Sequence, residues 1–337
     1  MKSGQYSTSW LRGLLVLTLG VLLGALLPTW AGGGAAPAAS APSPTRTAVS
    51  TLSADDLAAA LAPSVLSGRL TGQRVTVLAL PGVIAATTSR AELSQIQLTA
   101  MLTSLRQAGV GLGPTLQVLP SWTDPARLGV LVRLSEALAP SGVPTSARGE
   151  PARRADAVLA SALLGRSAAG ALPDPARATL LAGLSRGEFL APLISSTAAA
   201  SPRPGGIAPG LPGARGTVLL LLAPCGSATS SVVNGWVHLV DALAATGPVL
   251  VACPGISARS GLLATLRAVK PADVRSTLDG GASAVGRFTM VLALAELMRG
   301  GEGDYGPTGV ALLPGAAQRS GGPGRPTTAT SAAPTSG

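Results

Sequence analysis

From residue 74 onward, short apolar runs of the sequence alternate with longer stretches of helical periodicity. The apolar runs predict buried strands at 75–80, 116–119, 217–223, 248–253 and 310–313. Between them, the spacing of apolar residues predicts helices at about 89–108, 124–138, 151–164, 174–185, 229–245, 258–268 and 284–299. Strands that alternate with helices are typical of parallel βαβ units with helices on both faces of the sheet. The pattern therefore predicts an α/β fold with a mostly parallel sheet.

The stretch from Gly286 to Arg299 is apolar around almost its whole circumference. Residues on one face recur at i, i+3, i+4 and i+7, namely Phe288, Val291, Leu292 and Ala295. A helix of this kind is either buried in a core or crosses a membrane. This one is too short to span a bilayer and contains three charged residues. We predict that it is the central, buried helix of one helical layer.

Segments rich in Ala, Gly and Pro divide the chain. Residues 32–69 predict a flexible tether followed by a short helix, with Ser53 as its N-cap and Pro63 as a break. A second such segment, at 198–216, separates two halves, 70–195 and 217–315. Each half has too few strands for its own sheet, so we predict one α/β domain over 70–315. The tail at 316–337 has the composition of a disordered segment.

Residues 1–31 contain a candidate membrane segment. Gly13 to Leu27 is uncharged and nearly all apolar, and Trp10 and Trp30 bracket a window of 21 residues, long enough to span a bilayer. A cleaved signal peptide is the alternative, because the start is basic and the apolar core is short. Both interpretations export the rest of the chain. The positive charges precede the segment, so we predict an extracytoplasmic body.

The net charge of +10 raises the question of nucleic-acid binding. Lys2 and Lys270 are the only lysines, so 23 of the 25 basic residues are arginines, and they are spread thinly along the chain. A nucleic-acid interface requires clustered positive charge, whereas the densest cluster here is Arg153 and Arg154. We predict no nucleic-acid partner. Non-specific attraction to an anionic membrane surface remains open.

Residues with catalytic potential are few. His238 is the only histidine and lies among apolar residues of a predicted helix, which favours a structural role over service as a base for Cys225. The G-x-G-x-x-G spelling at 301–306 follows a helix and precedes a predicted strand, the reverse of the dinucleotide-binding order. We therefore predict a protein that is not an enzyme and has no cofactor.

The segment 276–306, STLDGGASAVGRFTMVLALAELMRGGEGDYG, resembles the C-terminal signature of MctB-type copper transport proteins of actinobacterial envelopes. Further similar stretches are VTVLALPG (75–82), SWTDPARL (121–128), ASALLGRSAAG (160–170) and TVLLLLAP (217–224). The resemblance implies an envelope protein with an uncleaved single-pass anchor that acts in copper efflux and homeostasis. It leaves open which membrane carries the protein, the outer membrane included.

The family function requires more than this chain shows by itself. One apolar segment cannot enclose a pore, so a copper channel would need assembly into a homo-oligomer. Relatives usually carry a coiled coil after the anchor, and the short helix here gives no such heptad pattern. The alternative is a membrane-anchored extracytoplasmic binding or scaffold domain without transport activity.

Cys225 and Cys253 are the candidate metal ligands. Each follows an apolar run, and one predicted helix joins the two runs. Neighbouring parallel strands would bring both sulfurs to one crevice, where they form a disulfide or hold Cu(I) as thiolates. The alternative is two small buried residues that never meet. Met101, Met290 and Met298 are dispersed, and packing explains them better than a track of thioether ligands.

Overall fold

The computed structural model of the chain describes residues 53–84, 93–139, 151–167, 170–193, 217–226, 229–256, 260–269 and 275–314. The candidate membrane segment, the tether before residue 53, the 198–216 segment and the tail after 314 lie outside these ranges. Within these ranges, no helix combines the length and the apolar character needed to cross a membrane.

The regular elements follow one another in the order that an α/β fold requires. They are α1 (Ala54–Leu66), β1 (Arg74–Ala79), α2 (Gln95–Gln107), β2 (Gly111–Val118), α3 (Leu128–Leu138), α4 (Pro151–Leu164), β3 (Arg166–Ser167), β4 (Gly170–Ala171), α5 (Asp174–Arg186), β5 (Leu190–Pro192), β6 (Thr217–Leu222), α6 (Ser230–Thr246), β7 (Val249–Ala252), α7 (Gly261–Ala268), β8 (Arg275–Leu278), α8 (Ala284–Leu297) and β9 (Asp304–Tyr305). The seven predicted helices recur as α2 to α8, with shifted ends.

Seven strands form one sheet in the order β5-β2-β1-β6-β7-β8-β9. Every neighbouring pair is parallel except β2 with β5, which is antiparallel. This confirms the predicted α/β fold with a mostly parallel sheet. The pairing of β1 with β6 joins strands from both predicted halves. The strand order also reverses between β1 and β6, and open α/β sheets bind ligands beyond the carboxyl ends of the strands at such a point.

Helices cover both faces of the sheet. On one side α8 packs against α1 and α2, and on the other α4 packs against α3, α5 and α6. β6 is buried along all but its first residue, and β7 and β8 are buried along their whole length. Strands buried on both faces are characteristic of a parallel sheet with a helical layer on each side.

The first helix follows the prediction at its start but not at its end. Ser53 is the N-cap of α1, and its side chain accepts a hydrogen bond from the Asp56 backbone at 3.1 Å. The expected break at Pro63 is wrong, because the helix continues to Leu66. Proline removes one backbone donor, and the burial of Leu66 in the core offsets that loss.

The predicted last strand, 310–313, is not a strand. Only Ala311 forms an isolated bridge, to Tyr305, while Val310 and Leu312 are 84% and 55% exposed. The strand that closes the sheet is β9, which lies in the 301–306 stretch before the predicted strand. Val310 and Leu312 are therefore at the surface, where isolated apolar side chains are common, whereas Ala311 is buried.

The sequence pattern also fails to identify β8, because three of its four residues are polar. Arg275, Ser276 and Thr277 are nonetheless 6%, 1% and 2% exposed. The Arg275 guanidinium donates to the carbonyl oxygens of Leu266 and Val269, at 3.0 and 3.2 Å, near the end of α7. Carbonyls at a helix C-terminus lack partners within the helix, so this buried side chain acts as a cap.

The predicted central helix, α8, is buried as expected. Met290, Val291, Ala293 and Leu294 are all 0% exposed, whereas Leu292 is only partly buried. Near the helix start, a Cβ on Gly286 would lie 1.9 Å from the Gly280 carbonyl oxygen. Only glycine allows this approach, so α8 begins in direct contact with the turn that follows β8.

Leu294→Ala should lower the free energy of unfolding by about 2–5 kcal/mol, because it leaves a cavity in a fully buried position. Leu292→Ala on the same helix is the matched control and should cost clearly less. Urea denaturation of both variants measures the difference. Equal losses for the two variants would contradict the assignment of the buried face.

Candidate metal site and polar network at the carboxyl edge of the sheet

The structure brings Cys225 and Cys253 together at the carboxyl ends of the neighbouring strands β6 and β7. Their sulfur atoms form a disulfide, with the Cα atoms 5.5 Å apart and 28 residues of separation along the chain. The two sulfurs thus lie together, as the interpretation from neighbouring parallel strands predicts, and the alternative in which they never meet is wrong. A role as metal ligands stays a prediction.

Backbone hydrogen bonds fix the turn that carries Cys253. The Cys253 backbone N–H donates to Leu278 on β8 at 2.8 Å, which extends the sheet by one residue. Three N–H groups of the turn after β8, from residues 280–282, donate to the carbonyls of residues 253–255 at 2.8–3.0 Å. The Gly255 N–H points at the Cys225 sulfur at 2.9 Å. The position of the sulfur pair therefore depends on the turn after β8.

The disulfide lies just below the surface. Cys225 is 9% exposed and Cys253 is 1% exposed, while the adjacent Gly226 is exposed and Ile256 is 69% exposed. A cavity of about 510 Å³ lies at this edge and includes Pro254 of the turn after Cys253. Its other lining residues are Asp55, Gln97, Ala282, Ser283, Ala284 and Arg287.

A second cluster at this edge is built around Arg267 of α7. Its guanidinium donates four hydrogen bonds, which reach Thr277 Oγ1 at 2.8 Å, Thr308 Oγ1 at 2.9 Å, the Tyr305 carbonyl at 2.9 Å and Asp279 Oδ1 at 3.2 Å. The partners come from β8, the turn that follows it, β9 and the loop after β9. One cation therefore holds the last three segments of the fold together.

Asp279 is the buried anion of this cluster and is 0% exposed. Its second oxygen accepts hydrogen bonds from the Thr308 backbone at 3.2 Å and from the Thr308 hydroxyl at 2.7 Å. Gly306 has a φ of 100°, and a Cβ there would lie 2.3 Å from the Asp279 carbonyl oxygen. Both carboxylate oxygens have partners, so this acid supports the fold and offers no open ligand position.

Tyr305 joins the same region to α8. Its hydroxyl donates to Glu296 Oε2 at 3.0 Å, and the residue is 2% exposed. Burial, followed by the neighbouring Glu296 carboxylate, raises the pKa of Tyr305 well above its usual range. The phenol therefore stays protonated and acts as a fixed hydrogen-bond donor.

The remaining sequence candidates do not form a site. His238 is partly buried on α6, and Cys225 in its disulfide offers no thiol for a histidine base to activate. Met101 and Met290 are 0% exposed, which favours packing. Over the part of the chain that the structure describes, there is no group of three or more His, Cys, Asp or Glu side chains suited to a metal ion.

Sequence reasoning missed a buried acid, Asp156 on α4. It is 4% exposed and accepts a hydrogen bond from the Trp122 indole at 3.0 Å. The Trp122 ring also meets the edge of Phe189, with the ring centroids 6.2 Å apart. The sequence feature that could have revealed it is an aspartate close to apolar residues such as Val158 and Leu159, on a helix face that is otherwise apolar and buried.

Burial raises the pKa of Asp156 from 3.8 to about 7, against the smaller opposing effects of the Trp122 indole and Arg153. The folded protein therefore holds this proton more tightly than the unfolded chain does. The resulting stabilisation is complete below about pH 4 and is lost as the pH rises through about 7, an effect on the order of 4 kcal/mol.

Asp156→Asn should remove this part of the pH dependence and should be more stable than the parent above about pH 7, because the amide stays neutral. The check is the free energy of unfolding of both proteins between pH 4 and 8. Parallel pH profiles would contradict the assignment.

Asp279→Ala should lower the free energy of unfolding by about 3–5 kcal/mol, because it leaves the Arg267 guanidinium, only 12% exposed, without its buried anion. Glu302→Ala, an exposed acid in the neighbouring loop, is the control and should change stability little. Guanidinium denaturation measures both. A loss at Asp279 no larger than that at Glu302 would show that the network does not hold the edge.

Comparison with known protein families gives a match over nearly all of the residues that the structure describes. The family model described as "Copper transport outer membrane protein, MctB" matches residues 42–312. No curated relative of the chain was found. The matched range covers most of the chain and contains both cysteines and the whole Arg267 network. The chain therefore belongs to the MctB family of copper transport outer membrane proteins.

Proposed function

We propose that the protein acts in copper efflux from the cell, as an extracytoplasmic α/β body held at the membrane by the apolar segment near residues 13–27. Family membership over residues 42–312 is the observation that carries this proposal. In this role copper is cargo and the protein catalyses no reaction. The lack of three-ligand metal groups in the described residues is compatible with transient passage of the ion.

The disulfide supports the proposed location of the body. Disulfides form and persist in oxidising compartments such as the bacterial envelope, whereas cytosolic thiols are kept reduced. The bond between Cys225 and Cys253 therefore fits a domain that is exported. It agrees with the orientation that the positive charges before the apolar segment favour.

Channel activity would require assembly. A single apolar segment cannot surround a water-filled path, so several copies would have to combine in the membrane. The described domain would then form the extracytoplasmic part of a homo-oligomer.

A scaffold role without transport is the second candidate, and a surface groove favours it. The groove, of about 550 Å³, lies between α1, α2 and the start of α8 and is lined largely by apolar atoms. Ile96 at its rim is 82% exposed. Exposed apolar surface of this kind commonly marks a protein interaction site.

A strain that lacks the protein should accumulate more copper than its parent when grown in added copper, because the efflux route is missing. Cellular copper is measured by elemental analysis in the parent, the deletion strain and the deletion strain carrying the full-length chain. Zinc in the same samples is the control and should not change. Equal copper in all three strains would refute the efflux proposal.

The scaffold alternative differs in a second measurement. Purified full-length protein added to planar lipid bilayers should produce conductance steps if it forms a channel. Copper accumulation in the deletion strain without conductance by the purified protein would favour the scaffold role.

A further inference from the structure

The sulfur pair lies where an α/β sheet of this topology presents ligands. Cys225 and Cys253 follow β6 and β7, and β6 adjoins the reversal of strand order between β1 and β6. The carboxyl ends of strands next to such a reversal form the usual ligand crevice. The position thus has a functional explanation in addition to the mechanical one of a cross-link.

A pair of cysteine sulfurs suits some metal ions better than others. Thiolates are soft ligands that suit Cu(I), which is stable with two of them in a linear arrangement. Structural zinc, by contrast, is almost always held by four ligands. Since no third His, Cys, Asp or Glu joins the pair among the described residues, its chemistry matches Cu(I) and does not match zinc.

The surroundings of the pair also suit thiolates. The Gly255 N–H already donates to the Cys225 sulfur at 2.9 Å, and a donor of this kind stabilises a negative sulfur. The Cα separation of 5.5 Å allows the sulfurs to move apart by side-chain rotation while the backbone keeps its position. Gly226 and Ile256 beside the pair are exposed, and Cys225 itself is 9% exposed.

We propose that Cys225 and Cys253 form a redox-gated Cu(I) site, closed as the disulfide and open as the dithiol. This rests on the proposed function, for which it supplies a copper-binding position. A dithiol reductant of the envelope transfers two electrons and two protons to the disulfide, which yields two cysteine thiols and the oxidised reductant. One Cu(I) then replaces both thiol protons, which gives a bis-thiolate complex and releases two protons. An oxidising disulfide of the envelope then accepts two electrons from the two thiolates and takes up two protons, which yields its own dithiol, the Cys225–Cys253 disulfide and free Cu(I).

The test compares two redox states of one protein. Full-length chain purified in detergent is reduced with a phosphine, which is then removed, and the two free thiols are counted. Cu(I) is supplied as its complex with bathocuproine disulfonate, whose absorbance reports transfer. The reduced chain should take up one Cu(I), and the oxidised chain should take up none. Absence of uptake by a chain with both thiols free overturns the proposal, as does equal uptake by the oxidised chain.

Variants identify the ligands. Cys225→Ser with Cys253→Ser should abolish Cu(I) uptake, and circular dichroism checks that this variant is folded. Met298→Leu, which removes a partly buried thioether outside the pair, is the matched control and should take up Cu(I) like the parent. Uptake by the double variant equal to that of the reduced parent, or loss of uptake in Met298→Leu, would overturn the two-thiolate site.

Cellular copper separates this inference from the efflux proposal. If the parent chain lowers copper in the deletion strain and the double cysteine variant does so equally well, the proposed role of the Cu(I) site in efflux is refuted while the efflux function stands. If the deletion strain accumulates no excess copper, the efflux function is refuted, whereas Cu(I) transfer to the reduced chain still decides whether the site exists.

Discussion

The burial of polar side chains on and beside β8 is the constraint on which this edge of the structure depends. An unpaired polar group in the interior costs several kcal/mol, and an unpaired charge costs more. The fold meets this cost with two arginines, since Arg275 caps α7 and Arg267 binds Asp279. These contacts fix where β8 ends. The turn after β8 then holds residues 253–255 through three backbone hydrogen bonds, so the buried charges determine where Cys253 lies.

The residues that carry the family resemblance have structural roles in this protein. Thr277 and Asp279 belong to the Arg267 network, and Gly286 and Gly306 occupy positions where a Cβ would collide with the backbone around Asp279 and Gly280. The signature thus identifies a fold. Asp279, Thr277 and Tyr305 of the signature are all engaged in hydrogen bonds, which leaves them little capacity to bind an ion. A copper-binding position has to be sought among other groups, and the sulfur pair has the required chemistry.

Sequence reasoning succeeds here where hydrophobicity alone determines structure. The apolar runs identify β1, β6 and β7. The βαβ order makes the proximity of Cys225 and Cys253 one of two possibilities, and the structure shows the disulfide. It fails where burial depends on a distant partner. Nothing in the sequence near Arg275 indicates that Asp241 and the end of α7 will accept hydrogen bonds from its guanidinium. The pattern at β8 therefore predicts exposed polar residues. Asp156 is missed for the same reason, because its indole partner lies 34 residues away.

A gated site requires that the domain stay folded when the gate opens. The disulfide joins residues that are 28 positions apart, which lowers the conformational entropy of the unfolded chain. Reduction of the bond restores that entropy and so removes the corresponding stabilisation. The turn at Cys253 has other supports, namely its bond to β8, the three bonds from the turn after β8, and the pairing of β7 with strands on both sides. The disulfide is therefore one of several interactions that hold this turn in place. Because the hydrogen-bonded network holds the backbone, the chemistry of the sulfurs is free to change without the loss of the fold.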